Sequence, residues 1–145
     1  MTALGTVFAE LDARLAAIPG VQEYERMPAG DPAAFNALHL YDEGDQPEDG
    51  DVGVTRLGLT VTVEGYVREE SGAAAHDAML ALHAAAVLAL CGDPGANLGG
   101  IVENIEITGR RRVARRQLEL RSTLGFAQDF IIQLATPRGD PFSFA

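Results

Sequence analysis

A chain of 145 residues with 47% apolar content and a net charge of −10 has an ordinary globular composition, and at this size a single domain buries roughly 68–70% of its unfolded surface. The acidic balance argues against a general nucleic-acid binder, which needs a surplus of cations to neutralise phosphates. Cys91 is the only cysteine, which excludes an internal disulfide, and all 11 basic residues are arginine; arginine's planar fork suits ion pairs at interfaces, although a GC-rich genome produces the same bias.

The amino terminus, Met1-Thr-Ala-Leu-Gly5, has neither a charged n-region nor a clean apolar h-region. Leu4, Phe8, Leu11, Leu15 and Ile18 then recur at spacings of four and three, which predicts an amphipathic helix with Glu10, Asp12 and Arg14 toward water. Pro19-Gly20 ends it. Val21 to Arg26 alternates weakly and predicts a short edge strand, and Pro28 to Pro32 is a turn cluster. Phe35–Tyr41 predicts a second strand, with Ala37, His39 and Tyr41 alternating with Leu38 and Leu40. The Gly- and acid-rich run Asp42–Asp51 reads as a mobile, solvated loop.

The stretch Leu57–Val67 organises the chain. Leu57, Leu59, Val61, Val63 and Val67 lie on one side, with Thr60, Thr62, Glu64 and Tyr66 on the other. That alternation predicts a strand with one face on a core, running from about Thr55 to Arg68. Ser71 is a good N-cap for a helix over Ala73–Cys91. This helix is apolar nearly all round, apart from a strip of His76, Asp77 and His83. Such a helix is expected to be buried on more than one side, against the first helix or a neighbouring subunit. Its most apolar run, Ala78–Cys91, falls about four residues short of a membrane span, so a soluble chain used without export is expected.

Gly92–Gly100 is an extended turn, and Ile101–Thr108 resumes strand alternation. Strand, helix and strand then suggest a crossover unit, right-handed if the strands are parallel. Gly109 is expected to end that strand. Leu118–Thr123 and Phe126–Thr136 are the last two strand candidates, and the tail from Pro137 to Ala145, with two prolines, cannot be a central strand.

Chemistry-bearing constellations are not evident. His76 and His83 share a helix face but sit about 10.5 Å apart along the axis, too far to share one metal. His39 reads as a structural or interface residue. Cys91 has no helix N-terminus or fixed cation near it in sequence, which disfavours a nucleophile. The glycine-rich run Gly92–Gly100 follows a helix and precedes a strand, the reverse of a phosphate-cradling loop. No catalytic, metal or cofactor-binding residue is therefore assigned, and the chain is expected not to be an enzyme.

Two charge clusters remain. Six carboxylates lie in one run (Asp42, Glu43, Asp45, Glu48, Asp49 and Asp51) and five guanidiniums in another (Arg110, Arg111, Arg112, Arg115 and Arg116). Each reads either as a solvated loop or as a contact with other copies or other proteins, since polarised surfaces steer association. Contact of the arginines with DNA is disfavoured because no aromatic platform accompanies them.

The order of elements resembles the tail terminator proteins of long-tailed bacteriophages, also called tail completion or minor tail protein U-like proteins. The resemblance lies in the helix ending at Ile18-Pro19-Gly20-Val21, in Leu59–Val67, and in the helix around Met79–Leu90. It continues in Asn97-Leu-Gly-Gly-Ile-Val-Glu-Asn-Ile105 and the closing strand Phe130–Thr136. It implies one α+β domain over residues 1–145, a mixed or antiparallel sheet packed against two main helices. An acidic loop (about 42–52) and an extended tail (about 137–145) would complete it. It further implies a homo-oligomeric ring, typically of six, that caps the tail tube, stops its polymerisation and offers the surface joined by the head-completion or neck protein. DNA would pass through the channel without specific binding, no membrane or cofactor is involved, and the site of action is the virion. On this resemblance the five arginines supply one interface patch, the acidic loop belongs to an opposing patch or faces the channel, and Phe142 and Phe144 anchor on a neighbour. A different head–tail connector (neck adaptor or stopper) and a small ligand-binding or enzymatic α+β domain are the alternatives.

Overall fold

A computed structural model describes residues 1–118 and 121–145, with side chains in all but 115–121. In chain order it holds α1 (Ala3–Ala16), β1 (Glu23–Arg26), β2 (Ala37–Glu48), β3 (Val54–Glu69), α2 (Gly72–Cys91), a 3₁₀ turn (Leu98–Gly100), β4 (Asn104–Leu118) and β5 (Arg121–Pro137). The fold is a single α+β domain built on a five-stranded mixed sheet of order β1-β2-β3-β5-β4. β1 and β2 are parallel, and every other neighbouring pair is antiparallel.

Both helices start where side chains can satisfy their free amides. The Thr2 hydroxyl accepts from Gly5 N at 2.9 Å, and the Ser71 hydroxyl accepts from Ala74 N at 3.2 Å. Val7, Leu11 and Leu15 of α1, with Ala75, Met79, Leu82, Ala86 and Leu90 of α2, form the inner stripes. They lie on one face of the sheet, where Leu38, Leu40, Leu59, Val61, Val63, Val67, Phe130, Ile132 and Leu134 are fully buried. Each large side chain buried there contributes about 1.5–3 kcal/mol. β3 is therefore the central strand, with the alternation over Leu57–Val67 placed as expected.

The expected crossover from β3 through α2 to β4 exists, with a difference. β3 and β4 are each antiparallel to β5, so they run parallel to each other with β5 between them. The chain's last strand fills the gap left by the crossover.

Three boundaries depart from the sequence reading for one reason. The acidic run expected as a loop is strand as far as Glu48, with an irregularity between Asp42 and Asp45. β4 begins at Asn104 rather than Ile101, does not end at Gly109, and carries the arginines on to Leu118. Gly109, at φ +72°, sits in the register shift between Thr108 and Arg112 and absorbs it. The two final strand candidates are one strand, β5, although the first candidate includes residues 119–120, which lie outside the described residues. In each case a neighbour supplies a backbone ladder: β3 pairs along its whole length with β5, from Val54↔Pro137 to Glu69↔Ser122. A ladder needs amides and carbonyls, so a strand edge can carry charged side chains into water without losing its pairing.

One further expectation changes. By length and composition α2, at 20 residues, is long and apolar enough to cross a membrane, so the shortfall read from Ala78–Cys91 alone does not hold; its inner stripe is packed on the sheet like that of a core helix. The C-terminal tail is held in place. Pro141 O accepts from Ala3 N and Ala135 O accepts from Ala145 N, each at 2.9 Å.

Candidate functional site

The two charge clusters lie on opposite margins of the sheet. β4 is one outer strand, and on it Arg110 is exposed and Arg111 half-buried. Arg112 is engaged within the chain. Its Nη1 and Nη2 donate to the two carboxylate oxygens of Asp129 at 3.2 and 3.0 Å, and the Thr62 hydroxyl donates to Asp129 Oδ1 at 2.7 Å. The Arg112 guanidinium, helped by that hydroxyl, holds the Asp129 carboxyl below the usual range. Arg112, expected within an interface patch, therefore already has a partner in its own chain. Arg115 and Arg116 pair through their backbones with Leu124 and Thr123, while their side chains lie outside the described residues.

On the opposite margin Asp42, Glu43, Asp45, Glu48, Asp49 and Asp51 are all exposed. Some serve the hairpin itself. Asp42 Oδ1 accepts from Gly44 N at 2.8 Å, Glu48 Oε2 accepts from Gln133 Nε2 at 3.3 Å, and Asp51 pairs with Arg56 at 3.1 Å. Arg56 also reaches Glu103 at 3.1 Å, tying the hairpin base to the segment ahead of β4. Glu43 acts on Arg112 through space. Asp45 and Asp49 have no ion pair among the described residues. Of the aromatic tail residues, Phe142 is 65% exposed, whereas Phe144 lies with Arg56, Ile101, Val102 and Ala135 around a surface cavity.

The sequence reading expected the outward side of α2 to be covered by the first helix or by a neighbouring subunit. Its burial is one-sided, leaving Leu88 70% and Leu80 37% exposed among the exposed alanines 73, 74, 81 and 84. A polar joint ties α1 to the C-terminal end of α2. Arg14 pairs with Glu10 at 2.8 Å and Asp93 at 2.6 Å and donates to Ala89 O at 3.2 Å, near the C-terminus of α2. The signal was present as the scarcity of polar residues over Ala73–Cys91 beyond His76, Asp77 and His83, but periodicity could not say which side stays uncovered.

The histidines have structural roles where they are buried. His39 lies on the sheet face away from the helices, with its Nε2 3.0 Å from Glu23 and its ring edge-on to Tyr66; that contact lowers the Glu23 carboxyl. His83 bonds Gln128 at 3.1 Å and meets the Phe126 ring edge-on. Burial pushes the Cys91 thiol up, which makes it a poorer nucleophile. No group of three metal-ligating side chains occurs among the described residues. On the face without helices, Asp31, Phe35, Tyr66, Arg68 and Thr123 line a cavity of about 260 Å³. Its polar groups are already paired: Arg68 stacks over Phe35 at 4.4 Å and donates to Thr123, and Tyr66 donates to Glu64.

The fold and these margins define an α+β domain whose unmatched surfaces are charged sheet edges and one apolar helix face. No protein-family model matches the chain, and no curated protein matches it in sequence. Among solved structures it is similar to a chain of the virion of a native gene transfer agent (GTA) particle, at 18% identity over 91% of this chain and 92% of that one, with a TM-score of 0.45. Similarity at that level assigns no role.

Proposed function

We propose that the chain is a structural virion protein, a tail terminator whose copies form a ring on the end of the tail tube, stop its growth and present the surface that joins the head. The observation that carries this reading is the outer side of α2, where Leu88, Leu80 and four alanines face solvent on a helix apolar enough to be buried all round. Exposed apolar side chains grouped on one helix side mark an interaction site, and a ring supplies the cover from a neighbouring copy. The sequence resemblance to tail terminators names the class, and the placement of opposite charges on opposite margins suits repeated head-to-tail contact. The partners are other copies, the tail tube protein and a head-completion or neck protein. The reading assigns no catalysis, metal or cofactor.

Electron microscopy and native mass measurement of the purified protein, alone and mixed with tail tubes, test it. Rings, typically six-fold, seated on tube ends are expected. A chain that remains monomeric at high concentration and leaves tube ends bare and growing overturns the reading. The second reading, a small-ligand domain, is favoured only by the cavity beside Tyr66 and Arg68, and a monomer that binds a small molecule there would replace the first.

A further inference from the structure

Among the described residues, each margin of the sheet ends in an edge with no further strand beside it, although Met27 N donates to Leu40 O and Asp42 N to Met27 Sδ at the start of the β2 edge. β1 pairs with β2 only over Ala37–Leu40, so beyond Leu40 the outer edge of β2 has no neighbouring strand, and β4 has β5 on one side and no strand on the other. The first edge and its turn carry Asp42, Glu43, Asp45, Glu48, Asp49 and Asp51, while the second carries Arg110, Arg111, Arg112, Arg115 and Arg116. Blocks of like charge keep either edge from pairing with its own kind in another molecule. The same blocks attract the opposite edge.

Apolar side chains accompany the charges on both edges. Val52 is fully exposed at the acidic turn, and Ile107 and Val113 are about half exposed on β4. A single copy cannot bring them together. The order β2-β3-β5-β4 sets the two edges three strand spacings apart, about 14 Å. Along the strands, Asp45 is level with Leu59, Ile132 and Ile105, whereas Arg112 is level with Ala127 and Glu64. The offset of five residues on β3 adds about 17 Å. The turn from Asp45 to Asp51 and the arginines from Arg112 onward therefore lie toward opposite corners of the sheet, while Glu43, nearer the middle of β2, still acts on Arg112 through space.

We infer that the acidic β2–β3 hairpin of one copy docks along the arginine-bearing β4 edge of the next, with Val52 seated against Ile107 and Val113. The inference rests on the ring reading and names one contact between neighbours in the ring, beside the covering of α2. Because the two surfaces differ, the contact is heterologous, and its repetition closes a ring when the rotation allows. Pro47 lacks an N–H for a continuous ladder, so side chains carry the contact.

A charge exchange within one chain tests it. Asp45→Arg with Asp49→Arg, and separately Arg110→Glu with Arg111→Glu, are each expected to weaken assembly about tenfold or more, and all four together to restore it, because every interface again joins opposite charges. Melting curves confirm that each variant is folded. As a second measurement, in a Cys91→Ala background, Asp49→Cys with Arg110→Cys are too far apart in one chain for a disulfide, which needs Cα atoms about 4.4–6.8 Å apart. Mild oxidation is then expected to give a ladder of covalent multimers. Covalent dimers from either single cysteine variant would reveal a two-fold contact and overturn the inference. Wild-type rings indifferent to the charge reversals overturn this contact alone, whereas a wild type that never assembles overturns the ring reading with it.

Discussion

The two faces of one sheet are held by different physics. On the side under the helices, Leu59, Val61 and Val63 of β3 meet Ile132, Phe130 and Gln128 of β5, and all of these but Gln128 are apolar. On the other side the sheet carries polar pairs: Asp129 of β5 with Thr62 of β3 and Arg112 of β4, and His39 of β2 with Glu23 of β1. Buried area stabilises the first face without regard to direction. The second depends on directed bonds, which weaken when either partner changes protonation. The covered face therefore sets whether the chain folds, and the open face adjusts how it folds with pH.

The largest expected effect is on the covered face. Phe130→Ala, at a fully buried ring, should cost about 3–5 kcal/mol in denaturant melts. Two glycines on neighbouring strands sharpen the contrast. A Cβ on Gly65 would stand 2.2 Å from Phe126 Cε1, whereas one on Gly125 would stand 3.2 Å from Gly65 O and 3.3 Å from the Tyr66 ring. Gly65→Ala is expected to cost about 1–3 kcal/mol and Gly125→Ala less than half as much; equal losses would break the distinction between the faces.

Asp129→Asn should cost about 1 kcal/mol at neutral pH. The Asp129 carboxyl is lowered in the folded state, first by Arg112, so its contribution is present above the unfolded value, near about 3.9, and is lost as pH falls through the folded one. Acid titration of stability should then show a shallower fall for Asp129→Asn than for the wild type, and parallel curves would refute the pairing's role. The smallest stability effect is outside both faces. Leu88→Gln should change stability by less than about 0.5 kcal/mol while reducing ring formation with tail tubes, whereas Leu82→Gln, on the inner stripe, should unfold the chain.

Side-chain periodicity made α1, β3 and α2 legible, because a buried stripe repeats at the period of its own backbone: Leu11 and Leu15 on α1, Val61 and Val63 on β3. The reach of β2 and β4 was not legible. Asp45 and Arg112 lie in paired strand, yet on an edge their side chains meet water and leave no apolar rhythm to read. The clusters themselves were visible as composition, but their division was not. Arg112 is tied to Asp129, 17 residues away on the adjacent strand, and only the register brings the two together. The bare side of α2 was visible as a scarcity of polar residues, though which residues formed it depended on where the sheet lay.

Inserting β5 between β3 and β4 has a consequence for when the molecule becomes competent. Until that strand arrives, β4 has no strand to pair with and the arginine margin does not exist as a sheet edge. Nascent chains emerging from the ribosome would carry the acidic hairpin but no receptor for it. On the proposed contact, docking between half-made copies would thereby be blocked by the order of strands alone.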